Sequence, residues 1–179
     1  MTETKKGSSL VKLVVTLCLI SAITAGLLGL VNRITAPNIA AFAAQTAQAA
    51  KEEVLKADSY DEVEVPAGHP NVAALYKAGD AGYVANVLIG GSQGNIELMI
   101  GVDNDLVVTG VSIIKSAETA GLGAKATEPE WRAQFIGLSA PVAVTNDGGQ
   151  VQAITASTIT SRAVCNAVNV AIAAVAEIA

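Results

Sequence analysis

The feature that most constrains this chain is an uncharged apolar segment near its N-terminus. Leu13 to Val31 is nineteen residues long and contains no charged side chain. At about 1.5 Å of rise per residue, a helix of this length spans roughly 30 Å, which matches the hydrocarbon core of a bilayer. We therefore predict a transmembrane helix over residues 10–32, with Lys12 reaching back to the interface. The remaining residues have room for one small domain.

A cleaved signal peptide is the alternative interpretation of this segment. Signal peptides have apolar regions of about 7–15 residues, shorter than this one, although the small residues at 40–44 could serve as a cleavage site. Lys5, Lys6 and Lys12 lie before the uncharged segment, and only Arg33 follows it closely. The positive-inside rule then predicts a cytoplasmic N-terminus at residues 1–9 and a domain on the extracytoplasmic side of the cell membrane.

The charges of the remaining chain argue against nucleic-acid binding. After Ala36 there are seven basic and fifteen acidic residues, whereas nucleic-acid binding requires basic patches that neutralise phosphate. The two cysteines, Cys18 and Cys165, are too few for a disulfide framework or a metal cluster, and we predict that they are small buried residues. The single histidine, His69, has no metal-binding partner at a suitable spacing and is predicted to lie at the surface.

A helical connector and a loop are predicted between the membrane segment and the domain. Pro37 indicates a turn just outside the membrane, and residues 38–57 are rich in residues that favour helix. Residues 58–70 are acidic and interrupted by proline and glycine, which indicates a loop or an edge segment. We accordingly assign residues 33–78 to the connector and loop, and residues 79–179 to the domain.

Hydrophobic periodicity predicts an α+β domain, with an antiparallel sheet flanked by helices. Strands are predicted from alternation and short apolar runs at 83–89, 95–102, 106–115, 142–144 and 151–154. Trp131 and Phe135 follow a helix start at 127–130 and lie four residues apart, so they share one helix face and are predicted to be core. An apolar face from Arg162 to Ile178 predicts the final helix.

A hydroxyl-rich run, Ile154 to Ser161, comes directly before that helix. Five of its eight residues are Ser or Thr. Such a run can be a plain helix cap, because a side-chain oxygen accepts the free amide hydrogens of the first turn. It also suits a phosphate group, since backbone N–H groups and the positive end of the helix dipole converge there. A hydroxyl in this position could itself be esterified by the phosphate.

Two glycine-containing segments have a structural and a functional interpretation each. Glu118 to Lys125 could supply backbone amides and a carboxylate to a cofactor, or could be a turn joining a strand to a helix. The link from Gly90 to Gly94 could be a flexible hairpin loop, or could let the backbone approach a flat ring. The residues alone leave both pairs of alternatives open.

Together, Glu118 to Gly123, the stretch Trp131 to Gly137 and the hydroxyl run resemble the FMN-binding domain found in the G subunit (RnfG) of the Rnf electron-transport complex. They are also similar to the C subunit (NqrC) of the sodium-translocating NADH:quinone reductase. The family's signatures are roughly Glu-Thr-Pro-Gly-Leu-Gly and Asp-x-x-Ser/Thr-Gly-Ala-Thr-x-Thr-Ser. In that family the Thr of Ser-Gly-Ala-Thr carries FMN through a phosphoester bond, and the matching position here is Thr158.

The sequence departs from both signatures. Ala120 replaces the proline of the first, while Gln152, Ala156 and Ser157 replace the Asp, Gly and Ala of the second. If the attaching enzyme requires the Asp or the Gly, attachment would be lost or moved to a substitute acceptor, the hydroxyl of Thr155, Ser157 or Thr160. The resemblance implies a flavin site made of Thr158 as the covalent attachment point with Thr155, Ala156, Ser157, Thr160, Ser161, Glu118, Thr119, Gly121, Leu122 and Gly123.

The resemblance implies a membrane-anchored flavoprotein that relays electrons within an ion-translocating oxidoreductase. The implied partners are the other Rnf subunits, notably the membrane flavoprotein and the iron–sulfur membrane subunits, and a flavin-attaching transferase. The coupling ion, sodium or proton, is not indicated by the residues. Three other functions are compatible with the sequence: an NqrC-type quinone-reductase component, a structural subunit without flavin, and an anchored protein that binds a small anion without a covalent link.

Overall fold

The computed structural model describes residues 4–119 and 123–179, with side chains described from Leu10 onward. The chain divides into two compact units, Met1–Gln45 and Thr46–Ala179, and the boundary lies inside the first helix. The helices are α1 (Thr4–Val54), α2 (Pro129–Arg132) and α3 (Thr158–Ala176). The strands are β1 (Asp61–Val63), β2 (Val72–Lys77), β3 (Tyr83–Gly90), β4 (Asn95–Val102) and β5 (Val108–Ser116). Short 3-10 turns lie at Gly123–Thr127, Ala133–Phe135 and Thr145–Asp147.

The first unit consists of the larger part of α1 and contains the apolar segment. Leu13 to Val31 is helical throughout, and its large apolar side chains are more than half exposed. The helix is long and apolar enough to cross a membrane, in agreement with the predicted membrane anchor. The turn predicted at Pro37 is wrong, because α1 continues through it. A proline removes one backbone hydrogen bond from a helix, and the Ala-rich sequence that follows favours helix.

The five strands form one antiparallel sheet in which they lie in sequence order. β3 and β4 pair along their whole length, from Tyr83 opposite Val102 to Gly90 opposite Asn95. The strands predicted at 83–89, 95–102 and 106–115 are confirmed as β3, β4 and β5, with ends that differ by at most two residues. β1 lies in the segment predicted as a loop or edge, and β2 is a strand that the sequence analysis did not predict.

Helices cover both faces of the sheet, which confirms the predicted α+β architecture. The buried face of α3 packs on one side, and the core there includes Leu98, Ile100 and the fully buried Phe135. The end of α1, from Thr46 onward, packs on the other side, where Val54 contacts the cluster that contains Met99. In α3 the buried residues recur at helical spacing, as an amphipathic surface helix requires.

Two paired glycines allow the end of α1 to lie directly on the sheet. Gly101 of β4 and Gly110 of β5 are cross-strand partners. A Cβ on Gly110 would lie 2.8 Å from Val54 Cα, and one on Gly101 would lie 2.6 Å from the Val54 carbonyl oxygen. That carbonyl accepts a hydrogen bond of 2.7 Å from Thr109 Oγ1. The strand thus supplies a donor for one of the carbonyls that a helix end leaves without a partner.

Glu53, in the same last turn of α1, connects the helix to β5 and α2. Its carboxylate accepts hydrogen bonds from Ser112 Oγ at 2.5 Å and from Arg132 Nη1 at 2.9 Å. Arg132 Nη1 also donates to the Val111 carbonyl oxygen at 2.7 Å. Burial alone would raise the pKa of Glu53, but the hydrogen bonds from Ser112 and Arg132 lower that pKa below its usual value. Glu53 therefore stays ionised as a partner of Arg132 at neutral pH.

The C-terminal part of the chain differs from the prediction in two elements. The strands predicted at 142–144 and 151–154 amount to one parallel bridge between Val144 and Val151. These segments run along the side of α3 instead of joining the sheet, and the Asn169 side chain pairs with both backbone groups of Val142. The final helix begins at Thr158 rather than Arg162, so the second half of the hydroxyl run is helical.

Two single-residue predictions have different outcomes. His69 was predicted at the surface, but its side chain is only 14% exposed and its Nε2 lies 3.0 Å from Glu177 Oε1 at the end of α3. The sequence separation of 108 residues explains why this partner was not foreseen. Trp131 and Phe135 pack edge to face, with ring centroids 5.2 Å apart; Phe135 is fully buried in the core, as predicted, whereas Trp131 is partly buried and packs against it.

Candidate functional site

The start of α3 has free backbone amides where a capping side chain is expected. Ser157 occupies the N-cap position, but its hydroxyl makes no hydrogen bond to the first turn. It donates instead to Thr160 Oγ1 at 2.9 Å. Within residues 4–119 and 123–179, no group accepts a hydrogen bond from the backbone N–H of Thr158, Ile159 or Thr160. The positive end of a nineteen-residue helix thus presents donors that suit a phosphate group.

Three hydroxyls of the run are buried and engaged with the protein. Ser157, Thr160 and Ser161 are each at most 8% exposed. Ser161 Oγ accepts a hydrogen bond from the Ile154 backbone N–H at 2.9 Å and donates to the Ser157 carbonyl oxygen at 3.0 Å. These contacts fix the turn that leads into α3. They also leave these three hydroxyls unsuited to an external reaction.

Thr158 and Thr155 are the hydroxyls of the run that remain available. Thr158 is half-buried at the first residue of α3, and its hydroxyl has no hydrogen-bond partner in the described part of the chain. Thr155 is exposed in the preceding turn, next to the exposed Ala156. Of these two hydroxyls, that of Thr158 belongs to the same turn as the free amides. A phosphate bound by those amides would therefore lie beside Thr158.

Glu118 joins two segments that are far apart in sequence. Its Oε2 accepts a hydrogen bond of 2.9 Å from Thr160 Oγ1 at the start of α3. Its Oε1 accepts from the backbone N–H of Ser92 at 2.6 Å and of Gln93 at 3.3 Å, both in the Gly-rich link after β3. From the sequence, this segment could supply a carboxylate to a cofactor or could be a turn that joins a strand to a helix. In the structure both Glu118 oxygens accept hydrogen bonds from the protein, and only the glycine content of the link hinted that backbone groups come close there.

Glycines on both sides of Glu118 make room for its carboxylate. A Cβ on Gly91 would collide with Glu118 Oε1, and one on Gly123 would lie 2.5 Å from Glu118 Oε2. Thr119 is exposed, and its carbonyl oxygen accepts a hydrogen bond of 3.3 Å from the Ala124 N–H. The other two predicted site residues of this segment, Gly121 and Leu122, lie outside the described residues.

The approach to the hydroxyl run is held by two side chains that the sequence analysis did not assign to the site. Trp131 Nε1 donates to the Gln152 carbonyl oxygen at 2.8 Å, and the Gln152 N–H donates to Gln134 Oε1 at 2.8 Å. Both backbone groups of Gln152 are therefore fixed by one segment. The Gln152 side chain, which stands where the family has Asp, is exposed and takes no part in these contacts.

Ala156 has a left-handed backbone conformation, with φ of 63°. This conformation costs an L-residue roughly 1–2 kcal/mol, whereas glycine adopts it freely. A glycine would therefore fit this position without strain, whereas Ala156 holds the left-handed conformation at a cost in stability.

We expect Ala156→Gly to raise the free energy of unfolding by about 1 kcal/mol. Glycine relieves the backbone strain of the folded turn. It also increases the conformational entropy of the unfolded chain, which offsets only part of that gain. Urea denaturation of the detergent-solubilised protein, followed by the fluorescence of the single tryptophan, measures the change. Ala163→Gly in α3 is the matched control and should lower the free energy of unfolding by about 1 kcal/mol. A less stable Ala156→Gly protein would contradict the expected strain.

A charge pair and a buried thiol lie on α3 after the hydroxyl run. Arg162 Nε and Nη2 donate to the two carboxylate oxygens of Asp147 at 2.7 and 2.6 Å, and these hydrogen bonds lower the pKa of Asp147. Cys165 is 3% exposed, and burial together with the Asp147 charge raises its pKa to about 11. Cys18 is exposed on α1, so the predicted burial is confirmed for Cys165 only.

The raised pKa of Cys165 predicts a loss of stability in alkaline solution. Above the ordinary thiol pKa of about 9 the unfolded chain releases the proton while the folded chain still holds it, so stability falls as pH rises from about 9 to 11. Urea denaturation at several pH values across this range measures the free energy of unfolding. That free energy should fall more between pH 9 and pH 11 in the native protein than in Cys165→Ala. Equal pH dependence of the two proteins would rule out a contribution from this thiol.

The residues of this site lie in a region that matches a known family. The model of the FMN-binding domain family matches residues 91–173, which include most of the Gly-rich link, Glu118 and the start of α3. Within the described residues no cluster of three or more His, Cys, Asp and Glu side chains could hold a metal ion.

Relatives resemble the chain over nearly its whole length. The G subunit of the ion-translocating oxidoreductase complex of Methanosarcina acetivorans is 36% identical over 177 aligned residues, covering 93% of this chain and 94% of that protein. The G subunit of the Na+-translocating ferredoxin:NAD+ oxidoreductase complex of Acetobacterium woodii is 37% identical, covering 90% of this chain and 89% of that protein. The G subunit of the ion-translocating oxidoreductase complex of Erwinia tasmaniensis is 32% identical, covering 86% and 84%.

Proposed function

Because this chain belongs to the RnfG family, the G subunits of ion-translocating oxidoreductase complexes, we propose that it carries FMN as a phosphoester on Thr158. As a family member it is the FMN-binding, electron-transferring subunit of a membrane complex. The attachment point of the flavin, the neighbouring subunits and the orientation of this chain in the membrane are the parts that we propose. The observation that carries the attachment is that, among the described residues, the Thr158 hydroxyl is free and lies beside the free amides of α3.

The other hydroxyls are poorer candidates for physical reasons. Those of Ser157 and Thr160 are buried and hydrogen-bonded to one another and to Glu118. Thr155 is exposed and lies before the helix, away from the amides that would hold a phosphate. Among these hydroxyls, Thr158 alone combines a free oxygen with the first turn of α3. Its neighbours Ala156 and Ser157 then shape the turn around the ester.

Attachment requires a co-reactant, which we propose is an activated flavin phosphoanhydride supplied by a flavin-attaching transferase. The Thr158 hydroxyl oxygen forms a bond to phosphorus and loses its proton, while the phosphorus–oxygen bond to the leaving group breaks and its electron pair departs with that group. The free amides of α3 would hold the phosphoryl oxygens during and after this exchange. The modified protein is therefore heavier than the unmodified protein by the mass of one FMN less one water.

FMN, when bound, supplies reversible uptake and release of electrons, while the protein supplies attachment and position. The Gly90–Gly94 link and the Glu118–Gly123 segment would border the flavin, because Glu118 joins the link to the start of α3. A covalent bond keeps the cofactor on a domain that faces an open compartment. We propose that electrons pass between this flavin and the membrane flavoprotein and iron–sulfur subunits of the complex.

The charge distribution supports one orientation in the membrane. Lys5, Lys6 and Lys12 lie at the N-terminal end of the apolar segment, so we propose that residues 1–9 are cytoplasmic and residues 10–32 span the membrane. Residues 33–78, which include the end of α1 and strands β1 and β2 of the sheet, would lead from the span to residues 79–179, and we propose that the sheet domain lies on the extracytoplasmic side. The name of the Acetobacterium woodii relative includes ferredoxin, NAD+ and Na+, and we propose the same type of coupled reaction here, with sodium ions or protons as the translocated ion.

Intact mass of the protein purified from its own membranes tests the attachment. An added mass of one FMN less one water supports the proposal, and peptide mapping then assigns it to Thr158. A native protein without added mass would contradict the proposal. In that case the departures at Gln152, Ala156 and Ser157 would favour a structural subunit without covalent flavin.

A further inference from the structure

A chain of hydroxyl groups ends on the Glu118 carboxylate. The Ser157 hydroxyl donates to Thr160 Oγ1, and the Thr160 hydroxyl donates to Glu118 Oε2, both at 2.9 Å. The direction of the chain is fixed, because an ionised carboxylate accepts hydrogen bonds and does not donate them. The backbone amides of Ser92 and Gln93 hold the other carboxylate oxygen. The acceptor at the end of the chain is thus itself held in place.

This hydroxyl chain changes what Ser157 does at the start of α3. A serine at the N-cap position ordinarily accepts a hydrogen bond from the second or third amide of the helix, and this contact stabilises the helix. Here the Ser157 hydroxyl instead donates to the hydroxyl oxygen of the third residue, Thr160. This contact holds the Ser157 oxygen in a position where it caps no amide, so it does not compete with an anion for the first-turn amides.

We propose that Glu118 and Thr160 are positioning residues that keep the first turn of α3 uncapped, so that its amides remain free for the phosphate of FMN. The inference rests on the proposed function, since it assumes a phosphate at Thr158. It assigns Thr160 a role other than that of a substitute acceptor. It also explains how this chain accommodates serine, a capping residue, at position 157.

The test removes the Thr160 hydroxyl without changing its shape. Thr160→Val frees the Ser157 hydroxyl to cap the helix, whereas Thr160→Ser retains the chain to Glu118. We expect the initial rate of flavin attachment, measured by intact mass after addition of the transferase and its flavin substrate to the full-length protein, to fall about tenfold in Thr160→Val. Thr160→Ser should keep the native rate. The double variant Thr160→Val/Ser157→Ala has no hydroxyl left to cap the helix and should recover to within about twofold of native.

A second measurement separates capping from misfolding. In flavin-free protein, the backbone amides of residues 159 and 160 should exchange hydrogen more slowly in Thr160→Val than in the native protein. The reason is that the Ser157 hydroxyl oxygen becomes their hydrogen-bond acceptor. A native attachment rate in Thr160→Val would overturn the inference and leave the proposed function intact. A rate that stays low in the double variant would also overturn it, because a packing defect would then be the cause. Absence of flavin from the native protein would overturn the proposed function and this inference together.

Discussion

Thr158→Val protein purified from its own membranes is expected to lack covalent flavin entirely. Valine has nearly the shape of threonine, and the Thr158 hydroxyl has no partner in the described structure, so its loss leaves no buried group unsatisfied. The helix and the engaged hydroxyls of Ser157 and Thr160 should persist. We expect intact mass to show complete loss of the flavin and thermal unfolding to show a stability within about 0.5 kcal/mol of the flavin-free native protein.

Thr155→Val is the matched comparison, since it removes the other hydroxyl of the run that makes no hydrogen bond within the described residues. It should keep the full flavin mass. Added mass that persists in Thr158→Val and disappears in Thr155→Val would move the attachment point to the turn before α3. Added mass that persists in both single variants would require a hydroxyl outside this pair and would contradict the proposed site.

Gly101→Ala is expected to lower the free energy of unfolding of the domain by about 3 kcal/mol. The added Cβ would collide with Thr109 Oγ1 and lie 2.6 Å from the Val54 carbonyl oxygen. Overpacking of this kind typically costs about 1–3 kcal/mol, and displacement of Thr109 adds the loss of its hydrogen bond to Val54. Urea denaturation followed by the fluorescence of the single tryptophan measures the effect.

Gly90→Ala provides the control, because Gly90 is the last residue of β3 and a Cβ there would have no neighbour within 4 Å. This variant should change stability by less than about 0.5 kcal/mol. A similar loss in the two variants would mean that glycine is needed for strand formation in general. Only a loss specific to Gly101 supports the close approach of the α1 end to the sheet.

Much of the fold could be predicted because its signals are local. The alternation in β3, β4 and β5 and the apolar face of α3 repeat within short windows, and they predict elements whose ends agree with the structure to within a few residues. β2 escaped prediction because six residues with a register shift near Val72 provide little periodicity. The turn predicted at Pro37 is wrong because proline usually interrupts a helix, whereas here the residues on both sides continue it.

The arrangement of the site could be predicted only in part. The sequence pointed to the hydroxyl run and to Glu118, but it could not reveal that Thr160 and Glu118 meet, since 42 residues separate them. Nor could it distinguish a free hydroxyl at Thr158 from an engaged one at Ser157, because that depends on the backbone geometry of the turn, although the partner of Ser157 is only three residues away. Periodicity describes which face of an element is buried, whereas hydrogen-bond partners depend on how distant elements pack.

The sequential order of the strands has a consequence for how the protein matures. Neighbouring strands are also neighbours in the chain, so the sheet can form by successive hairpins with short loops and a low entropic cost of closure. The contacts around Thr158 instead need α3 to return to the link after β3. We expect the region around Thr158, where the start of α3 meets Glu118 and the link after β3, to assemble last during folding. A transferase that recognises this region would then modify finished molecules only, and the flavin would mark each protein molecule that has completed folding before it enters the complex.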